Sequence, residues 1–152
     1  MEDPPKITLV IPTLNEIEGL KITIPRIDQS LFEEILVIDA SSTDGTVEYI
    51  QNIKNIKLVT QKSSGLTGAM IEAINLVKTN YVIEFSPDNN CTPEELADIV
   101  TKIKEGYDIV VVSRYLGDAI SEDDTFITGI GNWFFSKLIR HLGNYPITDA
   151  LT

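Results

Sequence analysis

Short apolar runs alternate with amphipathic segments along nearly the whole chain. Runs rich in Ile, Leu and Val predict strands at 6–11, 34–39, 56–60, 81–85 and 108–112. Apolar residues at helical spacing predict helices at 17–27, 46–53, 68–78, 93–105 and 129–142. Strands that alternate with helices are typical of βαβ units, so the pattern predicts an α/β fold with a mostly parallel sheet covered by helices on both faces.

Individual residues predict further details of three of these helices. Pro25 is expected to break the first, because proline cannot donate a backbone hydrogen bond. In the third, the spacing predicts a core face made of Met70, Ala73, Ile74 and Val77. Thr92 as N-cap, Pro93 at the first helical position and Glu95 three residues after the cap predict the start of the fourth.

The last helix and the connection before it stand apart from this pattern. Residues 113–128 form a long polar connection. The helix that follows carries a broad apolar surface that includes Trp133, Phe134 and Phe135. We expect this surface to pack in a core or against further polypeptide, with contact to a membrane surface as the second interpretation.

Composition narrows the class of protein. The 152 residues have 43% hydrophobic and 23% charged content, which is typical of a globular domain. A formal net charge of −11 argues against nonspecific nucleic-acid binding, which requires a basic surface. The single cysteine, Cys91, excludes an internal disulfide framework. The N-terminus has no signal-peptide pattern and no apolar run is long enough to span a bilayer, so a cytoplasmic location is expected.

Polar residues follow three of the predicted strands. Glu16 ends the loop after the first, Asp39 ends the second, and Asp88 follows the fourth. Carboxyl ends of parallel strands share one edge of a sheet, where open α/β folds bind ligands, so the pattern predicts a nucleotide and metal site. The alternative for Asp39 is a turn-forming residue, and we expect the following segment 41–46 to be mainly structural.

Further residues could serve such a site. Asp88 with Asn90 is the best metal candidate, because magnesium is held by one or two carboxylates together with phosphates. The loop 63–68, which contains Gly65, could offer backbone N–H groups to a phosphate, although a plain connection explains it equally well. Arg114 suits a phosphate, and its alternative is a surface ion pair.

Together these residues form motifs that resemble a known family. The chain is similar to the inverting family 2 glycosyltransferases, in the branch of dolichyl-phosphate mannose synthases and polyprenyl-phosphate sugar transferases. The resemblance runs from Ile7 to Thr152 and rests on six motifs, VIPTLNE (10–16), VIDASSTDGT (37–46), SGLTGAMIEAI (64–74), SPDNNCTPEEL (86–96), VVSRY (111–115) and ITDALT (147–152).

The resemblance implies a Rossmann-like GT-A fold that forms a single catalytic domain, 1–152, and binds a nucleotide-diphosphate sugar such as a GDP- or UDP-sugar. By analogy a Mg²⁺ or Mn²⁺ ion is held by Asp88 with help from Asn90. Arg114 meets a phosphate, and Asp149 lies near the acceptor. The implied donor-site residues are Pro12, Thr13, Glu16, Asp39, Gly65, Ser86 and Asp88.

The implied reaction moves a hexose of the mannose or glucose type to a polyprenyl or dolichyl phosphate at the cytoplasmic face of a membrane, with a glycan acceptor as the variant. The acceptor phosphate would attack the anomeric carbon directly, with inversion. Peripheral membrane contact and a homodimer formed through the sheet edge are further expectations. A sugar-nucleotide pyrophosphorylase is the less favoured enzyme, because residues 12–16 contain neither glycine nor a basic residue.

Three departures from the family pattern bear on activity. Ser86 stands where the family's Asp-x-Asp metal motif has its first carboxylate, and Ala40 follows Asp39 where relatives commonly carry another Asp. Relatives also continue beyond the position of Thr152, so the domain is expected to be truncated at its C-terminus. The first and third departures favour a rival function, a nucleotide-sugar-binding module without turnover.

Overall fold

The computed structural model describes residues 4–88, 91–113, 126–143 and 147–150. The chain divides into two compact units, one that ends at Asp108 and another that begins at Ile109. The strands are β1 (Ile7–Thr13), β2 (Glu34–Asp39), β3 (Ile56–Thr60) and β4 (Tyr81–Glu84). The helices are α1 (Ile17–Thr23), α2 (Thr46–Gln51), α3 (Gly65–Leu76), α4 (Leu96–Lys104) and α5 (Phe126–Gly143).

The first unit is built on a four-stranded parallel sheet in the order β3-β2-β1-β4. Each strand is separated from the next in sequence by helical structure, as the βαβ pattern predicts. The chain moves outward from β1 to β3 and then crosses to the opposite side of β1 to form β4. Such a reversal of direction opens a crevice between the carboxyl ends of β1 and β4, the usual ligand position in open α/β sheets.

Alternate residues of the central strands fill cores on the two faces of the sheet. Val10, Leu36 and Ile38 pack in one buried cluster with Ala69 and Ala73 of α3. Neighbours in sequence such as Leu9, Ile11 and Val37 are also fully buried. Burial on both faces explains why β1 and β2 read as nearly continuous apolar runs.

The predicted core face of α3 is partly wrong. Ala69 and Ala73 are buried and Met70 and Val77 are partly buried, but Ile74 is 62% exposed. The small residues Ala69 and Ala73 pack against the strands. Gly68 lies close to the loop before α3, because a Cβ atom added to it would lie 2.7 Å from Cβ of Ser63. Size complementarity, which periodicity does not report, sets the rotation of this helix.

The fifth strand, predicted at 108–112, does not form. These residues pair with none of the four described strands, and the Ile109 side chain is 81% exposed. A strand is stabilised by backbone partners as well as by apolar side chains, and an apolar run does not reveal whether a partner is available.

The remaining predicted helices form with shifted ends. Pro25 lies in a short 3₁₀ segment, Ile24–Arg26, that follows α1. Pro93–Glu95 is also a 3₁₀ turn. The backbone oxygen of Thr92 accepts a hydrogen bond from the Glu95 N–H (3.0 Å), but the Thr92 side chain makes no capping bond. Among the described residues, no helix combines the length and apolar character needed to cross a bilayer.

Candidate nucleotide-sugar site

The carboxyl edge of the sheet gathers most of the predicted site residues of the first unit. In the strand register Thr13 lies opposite Asp39, and Asp39 lies opposite Thr60. The chain leaving β4 stays beside β1, because the N–H of Phe85 donates to the carbonyl of Val10 (3.0 Å). The structure thereby groups six residues on this edge, namely Pro12, Thr13, Glu16, Asp39, Ser86 and Asp88.

Asp39 is the centre of a buried hydrogen-bond cluster. Its carboxylate is 1% exposed and accepts bonds from the Thr13 hydroxyl (2.9 Å), the Ser42 N–H (2.8 Å) and the Ser42 hydroxyl (2.5 Å). A carboxylate has about four acceptor positions, so about one remains for a ligand. The geometry gives Asp39 a definite structural role in joining the ends of β1 and β2, while its predicted contact with a base or ribose stays a prediction.

The loops after β1 and β2 are fastened to each other by side chain to backbone hydrogen bonds. The Asn15 N–H donates to the Ser42 hydroxyl (2.8 Å), and the Thr43 N–H donates back to the Asn15 side-chain oxygen (2.9 Å). Asn15 adopts a left-handed backbone (φ 59°), a conformation that asparagine tolerates better than most residues. We call this contact between residues 15–17 and 42–46 the loop clasp.

The loop clasp also supplies acceptors for the first N–H groups of α1. The Glu16 N–H donates to the Thr46 hydroxyl (3.1 Å) and the Ile17 N–H to the Asp44 carboxylate (3.0 Å). Desolvation alone would raise the pKa of Asp44, but hydrogen bonds from Ile17 and Thr46 outweigh it and lower that pKa. The start of α1 is therefore capped by another loop, which leaves the Glu16 side chain without a capping role.

The segment after β4 is held close to α1. A Cβ atom added to Gly19 would lie 1.9 Å from the carbonyl oxygen of Pro87, so only glycine fits there. Pro87 is buried, Ser86 is partly buried and Asp88 is exposed. The contact places Asp88 beside the start of α1, at the crevice between β1 and β4.

The neighbourhood of Asp88 is acidic. Desolvation is the main cause that raises the pKa of the Cys91 thiol, and the carboxylates of Asp88, Glu95 and Glu84 raise it further. The thiol is therefore protonated at neutral pH and is a poor nucleophile or metal ligand. The same negative field favours a cation in front of the loop.

The described residues hold no group of three or more His, Cys, Asp or Glu side chains arranged for a metal ion. Asp88 remains the described carboxylate of the predicted metal site, whereas Asn90 lies outside the described residues. One carboxylate and the Ser86 hydroxyl form a donor set that fits a magnesium-like ion only when phosphate oxygens and water complete the coordination.

The loop before α3 donates backbone hydrogen bonds to a carboxylate of the same chain. The Glu72 carboxylate accepts hydrogen bonds from the N–H groups of Lys62 (2.9 Å) and Ser63 (2.5 Å). These bonds lower the pKa of Glu72, and the bond from Ser63 has the largest effect. Gly65 is exposed with φ 76°. Two N–H groups near the predicted phosphate loop are thus engaged by the protein itself, and the role of Gly65 in nucleotide binding stays a prediction.

In the second unit, Asp149 is 1% exposed and lies in a segment attached to α5. The N–H of Ala150 donates to the side-chain oxygen of Asn132 (2.6 Å), and the Thr148 hydroxyl donates to that of Ser113 (2.7 Å). Arg114 lies outside the described residues. Asn132 is a buried residue that the sequence analysis missed, and its polar character within an apolar helix was the available signal.

Comparison with known proteins agrees with this architecture. The family model described as "Glycosyl transferase family 2" matches residues 8–150. Glucosyl-3-phosphoglycerate synthase from Mycobacterium tuberculosis, solved with Mn²⁺, UDP and phosphoglyceric acid, superposes with a TM-score of 0.68 at 19% identity, over 97% of this chain and 54% of that chain. At this identity the similarity shows the fold, which is of the GT-A type.

Two curated relatives carry names that refer to polyprenyl phosphates. Dolichol-phosphate mannosyltransferase from Pyrococcus furiosus is 32% identical over 142 residues, which cover 88% of this chain and 38% of that protein. Undecaprenyl-phosphate 4-deoxy-4-formamido-L-arabinose transferase from Yersinia enterocolitica is 29% identical over 72% of this chain and 37% of that protein. The chain spans less than half the length of these two relatives, and the family match over residues 8–150 shows that it belongs to glycosyl transferase family 2.

Proposed function

We propose that this chain is the nucleotide-sugar-binding and catalytic part of a glycosyltransferase that moves a hexose from a nucleotide diphosphate to a polyprenyl phosphate. The observation that carries the proposal is the crevice at the carboxyl ends of β1 and β4, where Glu16 and Asp88 lie on neighbouring loops. We propose further that both compact units belong to one catalytic domain, because the family match extends across both.

The hydrogen-bond cluster around Asp39 and the adjoining loop clasp support binding of the nucleoside. The cluster fixes the ends of β1 and β2 through Thr13, Asp39 and Ser42, so that a ligand meets a wall whose hydrogen bonds are already made. A site organised before binding loses less conformational entropy when the ligand arrives. In this proposal Pro12, Thr13 and Glu16 line the nucleoside pocket, and Asp39 reaches the ligand with its remaining acceptor position.

The diphosphate is proposed to bind together with Mg²⁺ or Mn²⁺ near Asp88. A divalent ion there would stabilise the negative charge that develops on the departing nucleoside diphosphate. Because the protein offers few ligands, the ion should bind well only when the diphosphate is present. Ser86 contributes a hydroxyl, and Asn90 is the further proposed ligand.

The transfer itself needs little proton movement. An oxygen of the acceptor phosphate forms a bond to the anomeric carbon while the bond from that carbon to the diphosphate oxygen breaks, with inversion. Arg114 is proposed to meet a phosphate and Asp149 to lie on the acceptor side. The names of the relatives favour a polyprenyl phosphate acceptor over a glycan, and such an acceptor would place the protein at the cytoplasmic face of a membrane.

Calorimetric titration of GDP- and UDP-sugars, with and without Mn²⁺, tests the donor site. Metal-dependent binding that weakens in Asp88→Ala would support the proposal and identify the base. Asp98→Ala, which removes an exposed carboxylate on α4, is the matched control and should bind as the wild type does. Absence of binding to every nucleotide sugar under all metal conditions would contradict it.

A second candidate, a nucleotide-sugar-binding module without turnover, is favoured by the hydroxyl of Ser86 where a second carboxylate would strengthen metal binding. Ser86→Asp separates the two functions. If the wild type binds the donor but neither protein transfers sugar to a polyprenyl phosphate, the binding module is correct. Transfer by the wild type supports the enzyme, and greater transfer by Ser86→Asp would locate the metal at this loop.

A further inference from the structure

Helix α5 has the reverse of the usual amphipathic arrangement, with polar side chains buried and apolar side chains exposed. Between residues 129 and 143, where its side chains are described, the buried ones are polar, with Asn132 3% exposed and Ser136 2% exposed. Its apolar side chains face outward, and their exposures include 60% for Trp133, 54% for Phe134 and 76% for Leu142. The exposed apolar side chains described for this helix, which we call the α5 apolar face, are Ile130, Trp133, Phe134, Phe135, Leu138, Ile139 and Leu142.

Hydrogen bonds fix which side of α5 is turned inward. Asn132 accepts the N–H of Ala150 and lies near Ser136, whose hydroxyl is 3.4 Å from the Asn132 side-chain oxygen. Residues 132 and 136 are four apart and therefore share one side of the helix. Rotation of α5 to bury its aromatic residues would break these bonds, so the outward position of the α5 apolar face follows from the local structure.

The charges on α5 identify the kind of surface that fits it. The helix contains none of the chain's 23 acidic residues, although the chain as a whole carries a net charge of −11. Its charged residues are Lys137 and Arg140, both exposed, and His141 lies beside them. The Lys137 ammonium lies 4.8 Å from the centre of the Trp133 ring, so the cationic side chains border the aromatic ones.

A helix with exposed aromatic and aliphatic residues, bordered by lysine and arginine and free of acidic groups, is suited to the interface of an anionic bilayer. The apolar side chains enter the boundary between head groups and acyl chains, and the cations remain at the phosphates. A neutral apolar partner would explain the aromatic residues but not the exclusion of acidic residues from the helix.

We propose that the α5 apolar face docks the protein on a membrane surface that contains anionic phospholipid. The proposed function includes peripheral membrane contact, and the inference rests on it in that respect only. The inference adds that the α5 apolar face makes this contact. Each cationic side chain near an anionic surface strengthens binding by roughly fivefold, and the loss of two large apolar side chains should weaken it by about tenfold or more.

The only tryptophan of the chain, Trp133, lies on this surface and is a built-in reporter. The 152-residue chain is titrated, without nucleotide, with vesicles of phosphatidylcholine alone or of equal parts phosphatidylcholine and phosphatidylglycerol. Trp133 fluorescence and vesicle flotation are recorded. We expect a blue shift, and quenching by brominated acyl chains, with the anionic vesicles and much less of both with the neutral ones.

Two variants and a matched control make the assignment specific. Phe134→Gln combined with Leu138→Gln should weaken binding by about tenfold or more, and Lys137→Gln combined with Arg140→Gln should remove most of the preference for anionic lipid. Ile71→Gln combined with Ile74→Gln removes two exposed apolar residues from α3 and should bind vesicles as the wild type does. All substituted side chains are exposed, and circular dichroism verifies that each variant is folded.

Three results would overturn the proposal. The first is that the protein does not float with anionic vesicles. The second is that the Phe134 and Leu138 double variant binds vesicles as strongly as the wild type. The third is a blue shift of Trp133 fluorescence that depends on protein concentration but not on lipid. The last would assign the α5 apolar face to a second copy of the chain. Donor titration in the absence of lipid tests the proposed function separately, so either idea can fail while the other stands.

Discussion

The central sheet and helix α5 place apolar side chains in opposite environments. In the sheet, residues such as Val10 and Leu36 are fully buried between layers of helices. In α5, Asn132 and Ser136 are buried while Trp133 and Leu142 are exposed. Hydrophobic character alone therefore does not decide burial, because a side chain is buried only where another element covers it. An exposed apolar set of this size indicates a binding surface.

The same truncation in the two regions should have very different costs. Leu36→Ala removes atoms from a close-packed cluster and should lower the free energy of unfolding by about 2–5 kcal/mol. Leu142→Ala removes exposed atoms and should lower it by less than about 0.5 kcal/mol. Urea denaturation of both variants measures the difference, and a large cost for Leu142→Ala would mean that the α5 apolar face is covered in the protein.

Helix α1 packs closely against the segment after β4 at Gly19. Gly19→Ala places a methyl group against the Pro87 carbonyl and should cost about 1–3 kcal/mol, even though alanine favours helices. Because Asp88 follows Pro87 directly, metal-dependent donor binding should weaken as well. Thermal unfolding and calorimetry measure both effects, with Glu18→Ala on the exposed side of α1 as the control. Unchanged stability in Gly19→Ala would show that the contact is looser than the structure indicates.

The buried polar side of α5 offers a converse test. Asn132→Ala leaves the partly buried N–H of Ala150 without its acceptor, which should cost about 1 kcal/mol. Hydrogen exchange at the Ala150 amide should become faster in the variant. Asn75→Ala, at an exposed position of α3, should leave that amide's exchange unchanged. Equal exchange in all three proteins would argue against attachment of the 147–150 segment through Asn132.

The smallest expected effect is electrostatic and lies in the loop clasp. Since the pKa of Asp44 is lowered in the folded chain, the charged carboxylate stabilises the fold above its ordinary value of 3.8, and this contribution is lost as the pH falls through the folded-state pKa. Asp44→Asn should therefore be less stable than the wild type near neutral pH, and the difference should disappear in acid.

Urea denaturation of both proteins from about pH 7 to about pH 3 follows this convergence. Asp98→Asn, on the exposed surface of α4, controls for the loss of one negative charge from an acidic chain. A difference between wild type and Asp44→Asn that stays constant with pH would assign the effect to shape and hydrogen-bond geometry instead of charge.

Much of the fold could be predicted because local pattern and tertiary structure agree in the first unit. Four apolar runs become parallel strands, and Pro25 ends α1 as expected. The segment 108–112 has the same pattern as those runs but pairs with none of the described strands. Ile74 has the expected spacing for the core, yet the smaller Ala69 and Ala73 are the α3 residues buried with the strands, and Ile74 is exposed. Both differences depend on which strands and helices are available as partners, which the residue pattern of one segment does not contain.

The location of the candidate residues on one edge of the sheet was predictable, but the hydrogen bonds between them were not. Asp39, Glu16 and Asp88 could be assigned to one edge because parallel strands align their carboxyl ends. The loop clasp could not, since Asn15 and Thr43 are brought together only by the pairing of β1 with β2. The engagement of Glu72 with the loop before α3 likewise depends on a turn and a helix that must form first.

The sequence by itself determined the alternation of strands and helices, the acidic character and the family motifs, because these are properties of residue order and composition. Only the tertiary structure decided that Asp39 is enclosed by Thr13 and Ser42 and that α5 turns Trp133 and Phe134 outward. The physical reason is that hydrogen-bond partners and burial are set by distances between segments far apart in sequence, which periodicity along one segment does not contain.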